Sequence, residues 1–349
     1  VKMVEWLAGN RIRGTSAEKP TLGVSGVGGW KEVGRTTLDS ANDVISVASL
    51  PDKRYYMVLA HHIQNGSNPT AGFRFNGDTA NNYHHRSSHN GGSDSTGQIT
   101  SIYGDTLGGA LSGGHWLTQL YIANISDQEK LVIMNQTSNR GGTGAGNAPV
   151  RAEIVAKWAN TSSSINQISN FDANVTSGNF ASGSEIVVLG WDPTDTHTDN
   201  FWEELASVEL GAEADELSSG TITAKKYLWV QWYVKKTGTA NTRWRFNNDT
   251  GSNYASRSNV LNNEATQTNQ TSIFTHADTS GKAFGNMFIL NDSAKEKLLI
   301  PYEVSDTVGR YQGSAKWTNT SAQITEIDLL QTDSGGFSAG TIMKVWGHD

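Results

Sequence analysis

The chain of 349 residues has no cysteine. That excludes disulfide staples, thiolate metal sites and Cys nucleophiles, and it leaves the redox compartment open. Charge is sparse, at 17% of residues, and only 36% are apolar. No apolar run approaches the roughly 18 residues that a membrane-crossing helix needs. Val1–Gly9 is too short and too acidic for a secretory signal. The chain as given is therefore expected to be soluble, or to reach the outside by assembly or lysis. A bundle or coiled coil would be rich in Ala, Glu, Lys and Leu, and this composition is not.

In their place stand 37 Gly with abundant Asn, Ser and Thr, and 11 Trp, 10 Tyr and 10 Phe as core material. Regularly spaced aromatic and β-branched residues can bury enough surface to offset chain entropy, which argues against disorder. An all-β fold follows. Formal charge is −7, from 27 Lys+Arg against 34 Asp+Glu. An acidic body repels phosphate, so neither nucleic acid nor a membrane is an expected partner.

An internal repeat is the most informative feature. Phe73-Arg-Phe-Asn-Gly-Asp-Thr-Ala-Asn-Asn-Tyr83-His-His-Arg86 returns as Trp244-Arg-Phe-Asn-Asn-Asp-Thr-Gly-Ser-Asn-Tyr254-Ala-Ser-Arg257. In the same order, Lys53-Arg-Tyr-Tyr matches Lys225-Lys-Tyr-Leu, and Glu129-Lys-Leu matches Glu296-Lys-Leu. Lys157-Trp158 matches Lys316-Trp317, and Gly178-Asn-Phe180 matches Gly335-Gly-Phe337. The spacing shrinks along the chain, from 172 (Lys53 to Lys225) to 157 (Gly178 to Gly335), so the second copy is shorter by about fifteen residues. Most of that difference falls in Gly/Asn/Ser-rich stretches, which read as surface loops.

The boundaries are an N-terminal arm at 1–28, a first unit at 29–191, a polar linker at 192–199 and a second unit at 200–349. Short runs such as Val44–Val47, Tyr55–Ala60, Leu117–Ala123 and Tyr227–Val234 read as strands, rich in Val, Ile, Tyr and Trp and bounded by turn formers. Several lack strict alternation, as strands buried on both faces do. Roughly eight strands per unit fit a jelly-roll-like β-sandwich, so the expectation is two tandem sandwiches, each closing its own core. In the arm, Met3, Trp6 and Leu7 form a short apolar turn. It either docks on a neighbouring subunit or lies on its own domain.

The repeated block is the strongest motif. Arg74, Asn76, Asp78, Asn82, Tyr83 and Arg86, with Arg245, Asn247, Asp249, Asn253, Tyr254 and Arg257, can all be explained as builders of one rigid turn. The Asx side chains bond their own backbone, and Arg74 or Arg86 pairs with Asp78. The alternative is a polar loop that contacts a sugar or Ca²⁺. His61-His62 and His84-His85-x-x-x-His89 could bind Zn²⁺ if three nitrogens converged, but they read better as solvent-exposed loop histidines. Asp192, Asp195 and Asp199 are weak Ca²⁺ candidates without an EF-hand pattern. No cofactor is implied otherwise.

No Gly-x-Ser-x-Gly, His-Glu-x-x-His or phosphate-cradling loop occurs. Gly141–Gly146 reads as a Gly-rich surface loop, and no acidic residue stands in an apolar strand where burial would raise its pKa. No catalytic residue is assigned, and an enzyme is not expected. Trp158, Trp317, Trp30 and Trp202 read as core landmarks. Trp116, Trp229, Trp232 and Trp244 stay open between packing and sugar stacking.

The order Arg-Phe-Asn-Gly-Asp-Thr, Asn-Tyr, Asn319-Thr-Ser-Ala-Gln-Ile-Thr-Glu-Ile327, Gly-Gly-Phe and a closing Val-Trp-Gly resembles a repeat module of tailed-phage and marine viral virion structural proteins, of the tail-fibre or capsid-surface type. The likeness covers both units and carries no catalytic residue across. It implies a non-enzymatic component at the virion surface that assembles with copies of itself and other virion proteins, with a host surface glycan as a further contact. The alternatives are a carbohydrate-binding module or adhesin, and a subunit of an extracellular or surface-layer filament.

Overall fold

The computed structural model describes residues 29–349, apart from 67–69, 105–113, 174–179, 194, 196–198, 239, 261–262, 279–280 and 308. Met3, Trp6 and Leu7, and with them the reading of an assembly arm, lie outside the described residues.

The described chain is all-β and antiparallel. Its first half contains β1 (Lys31–Thr37), β2 (Val44–Val47), β3 (Tyr55–Ile63), β4 (Ala71–Phe75), β5 (Tyr83–His89) and β6 (Ser95–Ile99). Then come β7 (Ile102–Tyr103), β8 (His115–Ala123), β9 (Lys130–Ser138), β10 (Val150–Trp158), β11 (Ile168–Asp172) and β12 (Glu185–Trp191). They form a large sheet in the order β1-β12-β3-β8-β9-β10-β5-β6 and a small one in the order β2-β11-β4-β7.

The second half repeats this with β13 (Glu203–Glu209), β14 (Glu216–Ser218), β15 (Tyr227–Thr237), β16 (Ala240–Phe246), β17 (Tyr254–Val260) and β18 (Asn263–Gln270). It continues with β19 (Ile273–Asp278), β20 (Gly281–Leu290), β21 (Lys297–Ser305), β22 (Arg310–Trp317), β23 (Ile327–Leu330), β24 (Gly336–Phe337) and β25 (Ile342–His348). The orders are β13-β25-β15-β20-β21-β22-β17-β18 and β14-β23-β16-β19, with β24 added beside β15. Strand for strand, the two halves share one topology.

Some of these strands fall where loops were expected. β6 and β18 run through Ser/Thr/Asn/Gln-rich stretches and stand at the edge of each large sheet. Edge strands exposed on a face have no need of apolar alternation.

Each half buries an apolar cluster between its large and small sheets, built around Phe73, Phe75, Tyr83 and Trp158 in the first and Trp244, Phe246, Tyr254 and Trp317 in the second. A third cluster joins the halves. Met57, Leu59, Leu117, Val187 and Leu189 on the outer face of the first large sheet meet Trp229, Phe288, Leu298, Ile300 and Trp346 on that of the second. The expectation that each unit closes on its own core therefore holds only in part. Along β3, Tyr56, Val58 and Ala60 enter the first core while Met57 and Leu59 enter the seam. Burial on both faces is why this strand reads as a continuous apolar run.

Candidate functional site

The repeated block builds a turn after β4 and after β16. Asn76 and Gly77 take left-handed φ values of 53° and 68°, and the Asp78 N–H donates to the Phe75 carbonyl at 3.0 Å. Asn and Gly tolerate that conformation best, which explains the residue types. Asn247 and Asn248 do the same at 50° and 55°. The Asn76 carboxamide accepts the N–H groups of Asn166 (2.8 Å) and Gln167 (3.1 Å) and donates to the Ser164 carbonyl (2.8 Å). Asn247 repeats this with Thr325, Glu326 and Gln323.

The Asp78 carboxylate accepts the Trp158 indole N–H at 2.7 Å and the Asn82 amide at 2.8 Å. Asp249 accepts Trp317 at 2.7 Å and Asn253 at 2.9 Å. Partial burial works to raise the pKa of Asp78, but the hydrogen bonds from Asn82 and Trp158 outweigh it and hold the carboxyl below its usual value. Asp249 is held down likewise, against burial, by Trp317 and Asn253. The Tyr83 hydroxyl accepts the Phe75 N–H at 2.9 Å and Tyr254 that of Phe246 at 3.1 Å. Asn82 and Asn253 stay exposed, but the hydrogen bonds of the motif are spent within the protein, so what it does chemically is clamp a turn to the opposite sheet.

The arginines do not join it as expected. Arg74 stacks 3.8 Å over Phe171 and donates to the Thr100 carbonyl at 3.0 Å, because strand alternation turns it away from Phe73 and Phe75. Arg86 pairs with Asp94 at 3.3 Å. Arg245 stands across the strand pair from Asp328. Arg257 reaches the first unit, donating to the Pro149 carbonyl at 3.1 Å.

The histidines require a second correction, since none is a loop residue. His61 and His62 are fully buried in β3, while His84, His85 and His89 are half-buried in β5. Adjacent strand residues face opposite ways, which separates His61 from His62. His61 packs edge-on against His115 at 5.4 Å, and His62 lies between Trp116 and Phe180. Burial lowers His62 and His115 to about 3 and His61 well below its ordinary value. Among the described residues, no three His, Asp or Glu side chains gather in a metal-holding group. Asp195 pairs with Lys53 and caps the Asp192 N–H at 2.7 Å, whereas Asp199 pairs with Lys31 at 2.8 Å. Nor are acids missing from apolar strands. Burial raises Asp328 in Ile-Asp-Leu-Leu of β23 and Glu153 in β10.

What the sequence concealed is the seam. Gly141–Gly146 is part of it: Gly144 N–H donates to Glu296 at 2.5 Å, the Gly142 carbonyl accepts Lys316 at 2.7 Å, and the Ala145 carbonyl accepts Asn269 N–H at 2.8 Å. Arg151 bridges to the Gln312 carbonyl (2.9 Å) and Glu264 (2.5 Å). Glu185 accepts Lys226 and the Tyr227 hydroxyl, each at 3.0 Å. Burial works to raise Glu185, but Lys226, Thr37 and Arg35 together hold it below its usual pKa.

Beside the seam, the first large sheet leaves an apolar groove of about 750 Å³, lined by Trp30, Tyr55, Tyr121, Leu131, Ile133 and Val155 among others. Leu131, Ile133 and Val155 are 58%, 54% and 52% exposed. Three large aliphatic side chains side by side in solvent are unusual on a monomer's surface, and such patches mark contact sites. The one signal for it was the outward alternation of Leu131 and Ile133 in β9, which a covered sheet face would produce equally.

No family model matches the sequence, and no curated protein matches it. Among solved structures, domains LG4-5 of the mouse laminin alpha1 chain are similar at 9% identity, covering 91% of this chain and 89% of that one, with a TM-score of 0.20. The STIV MCP is similar at 9% identity, covering 91% and 94%, with a TM-score of 0.15. At these scores neither likeness carries an argument about this chain.

Proposed function

We propose that this chain is a non-enzymatic structural protein of a virus particle, placed at its surface, in a fibre or on the capsid, and working through contacts with other subunits. The observation that supports it most is the division of labour between the two surface features. The repeated polar motif spends its hydrogen bonds within the protein and stiffens its turn, whereas the open feature is an aliphatic and aromatic sheet face fit for a protein partner. A rigid duplicated scaffold carrying a contact face suits assembly better than turnover of a substrate.

Light scattering behind a sizing column, with electron microscopy of the same fractions, tests the reading. Self-associated particles or filaments are expected from the purified full chain. A chain that stays monomeric and binds a defined sugar on a glycan array would replace this reading with that of a carbohydrate-binding module.

A further inference from the structure

The repeat supplies an internal reference for the open face. Alignment of β9 with β21 from their common Glu-Lys-Leu places Leu131 opposite Leu298 in the comparison and Ile133 opposite Ile300. In the second unit these residues are 0% and 2% exposed, because the first unit covers them. The ion pair at the same edge follows suit. Lys157–Glu129, at 2.9 Å, is 39% and 40% exposed, whereas Lys316–Glu296, at 3.2 Å, is 0% and 4% exposed.

The reverse holds for the surface that does the covering. Leu117 and Thr137 of the first unit are 1% and 0% exposed. Their equivalents in the second unit are Phe284 and Val304, a cross-strand pair, at 48% and 51%. Each unit thus carries counterparts of both sides of the contact; Trp229 and Trp346 lie in the seam along with their counterparts Met57 and Leu189, whereas Leu131, Ile133, Phe284 and Val304 are left open. The open positions are apolar on both sides, with Gln231 and Lys344 beside Phe284 where the first unit has Leu59 and Val187.

We infer that the contact made once inside the chain is made again between chains: the face bearing Phe284 and Val304 of one copy covers the Leu131, Ile133 and Val155 face of a second copy. The occupant is another copy because, among the described residues, the apolar surface that covers the counterpart of this face is the repeat's own. The contact joins different surfaces, so it is heterologous, and it continues into a ring or a filament. This rests on the proposed structural role and adds the surface and the geometry of assembly.

The test uses the full chain carrying Leu131→Asp or Ile133→Asp on one side, and Phe284→Asp or Val304→Asp on the other. All four positions are half exposed, and circular dichroism with a melting curve checks that each variant folds like the wild type. Each is expected to weaken self-association at least about tenfold, since a charge buried in such a contact is strongly disfavoured. The decisive arm mixes one variant from each side. Each retains one intact face, so the mixture should form one-to-one pairs and go no further.

Loss of association with Leu131→Asp but not with Phe284→Asp would indicate a symmetric contact and overturn the inference. Association untouched by all four, yet lost on removal of residues 1–28, would assign assembly to that segment and also overturn it. In both cases the structural role survives. A wild-type chain that is monomeric at 100 μM and absent from any particle overturns both.

Discussion

The two units share a strand order and differ in how they fill it. In the first, Ala60 of β3 stands opposite Thr118 of β8, and the Gln136 amide donates to the Thr118 hydroxyl at 2.9 Å. In the second, Trp232 of β15 stands opposite Gly285 of β20. A Cβ on Gly285 would fall 2.2 Å from the Trp232 ring, so the indole occupies the space that the missing side chain leaves. Its N–H donates to Glu303 at 2.8 Å, the position equivalent to Gln136. Small-with-polar became large-with-nothing, the larger ring lying where Gly285 carries no side chain. Cores tolerate substitution in compensating sets, so a duplicated fold can diverge inside while its turn motif stays the same.

The comparison can be broken most forcefully at that exchange. Trp232→Ala should cost about 3–5 kcal/mol in denaturant unfolding, the usual loss for a buried indole. Gly285→Thr alone should also destabilise, by overpacking against the ring. The double variant Trp232→Ala with Gly285→Thr gives both positions the first unit's residues and should lose clearly less than the two single losses added together. Simple additivity would show that the two positions do not compensate.

The shared ion pair sharpens the contrast. Glu296→Ala leaves Lys316 buried without its carboxylate and should cost about 3 kcal/mol, whereas Glu129→Ala, beside half-exposed Lys157, should cost less than about 1 kcal/mol. Equal losses would mean that the first unit does not shield the pair. Burial already lowers Lys316, partly offset by Glu296, so removal of the acid leaves a lysine poised to lose its proton.

Acid should separate the units next. His62 and His115 titrate near 3 when folded, far below the ordinary histidine value of about 6.5. The unfolded chain therefore binds more protons between those limits, so this stability is complete above about pH 6.5 and is lost progressively toward pH 3. The equivalent positions in the second unit are Val234 and Lys282. Hydrogen exchange on a pH series should show the first unit opening first, and His62→Val should flatten its pH dependence. Simultaneous opening of both units would indicate that the seam, not the histidines, governs acid stability.

The smallest effect concerns the clamp common to both halves. Asp78→Asn and Asp249→Asn each keep the shape but weaken the bond from the tryptophan, and each should cost about 1 kcal/mol. Both carboxyls are held below their ordinary pKa, so the wild-type advantage should fade as the pH drops below about 4, measured by thermal melts.

Much of this was legible before any coordinates. The repeat, the all-β class and the turn built by Asn76, Asp78 and Tyr83 follow from local chemistry: Asx residues tolerate left-handed φ, and aromatic residues mark strands. Less legible were the partners. Arg74 was expected on Asp78, but strand alternation sends it to Phe171. His61 and His62 looked like polar loop residues because sequence registers their hydrophilicity and not the second sheet that buries them.

Residue order was enough to establish two copies of one sandwich, because period, turn chemistry and aromatic spacing act over short stretches of chain and recur wherever the pattern recurs. It could not tell Leu131 from Leu298, or Glu129 from Glu296, which are the same residues in the same local setting. Only the packing of one large sheet on the other made one leucine a surface residue and the other a core residue, since burial is a property of what lies opposite, and that is decided by residues more than a hundred positions away.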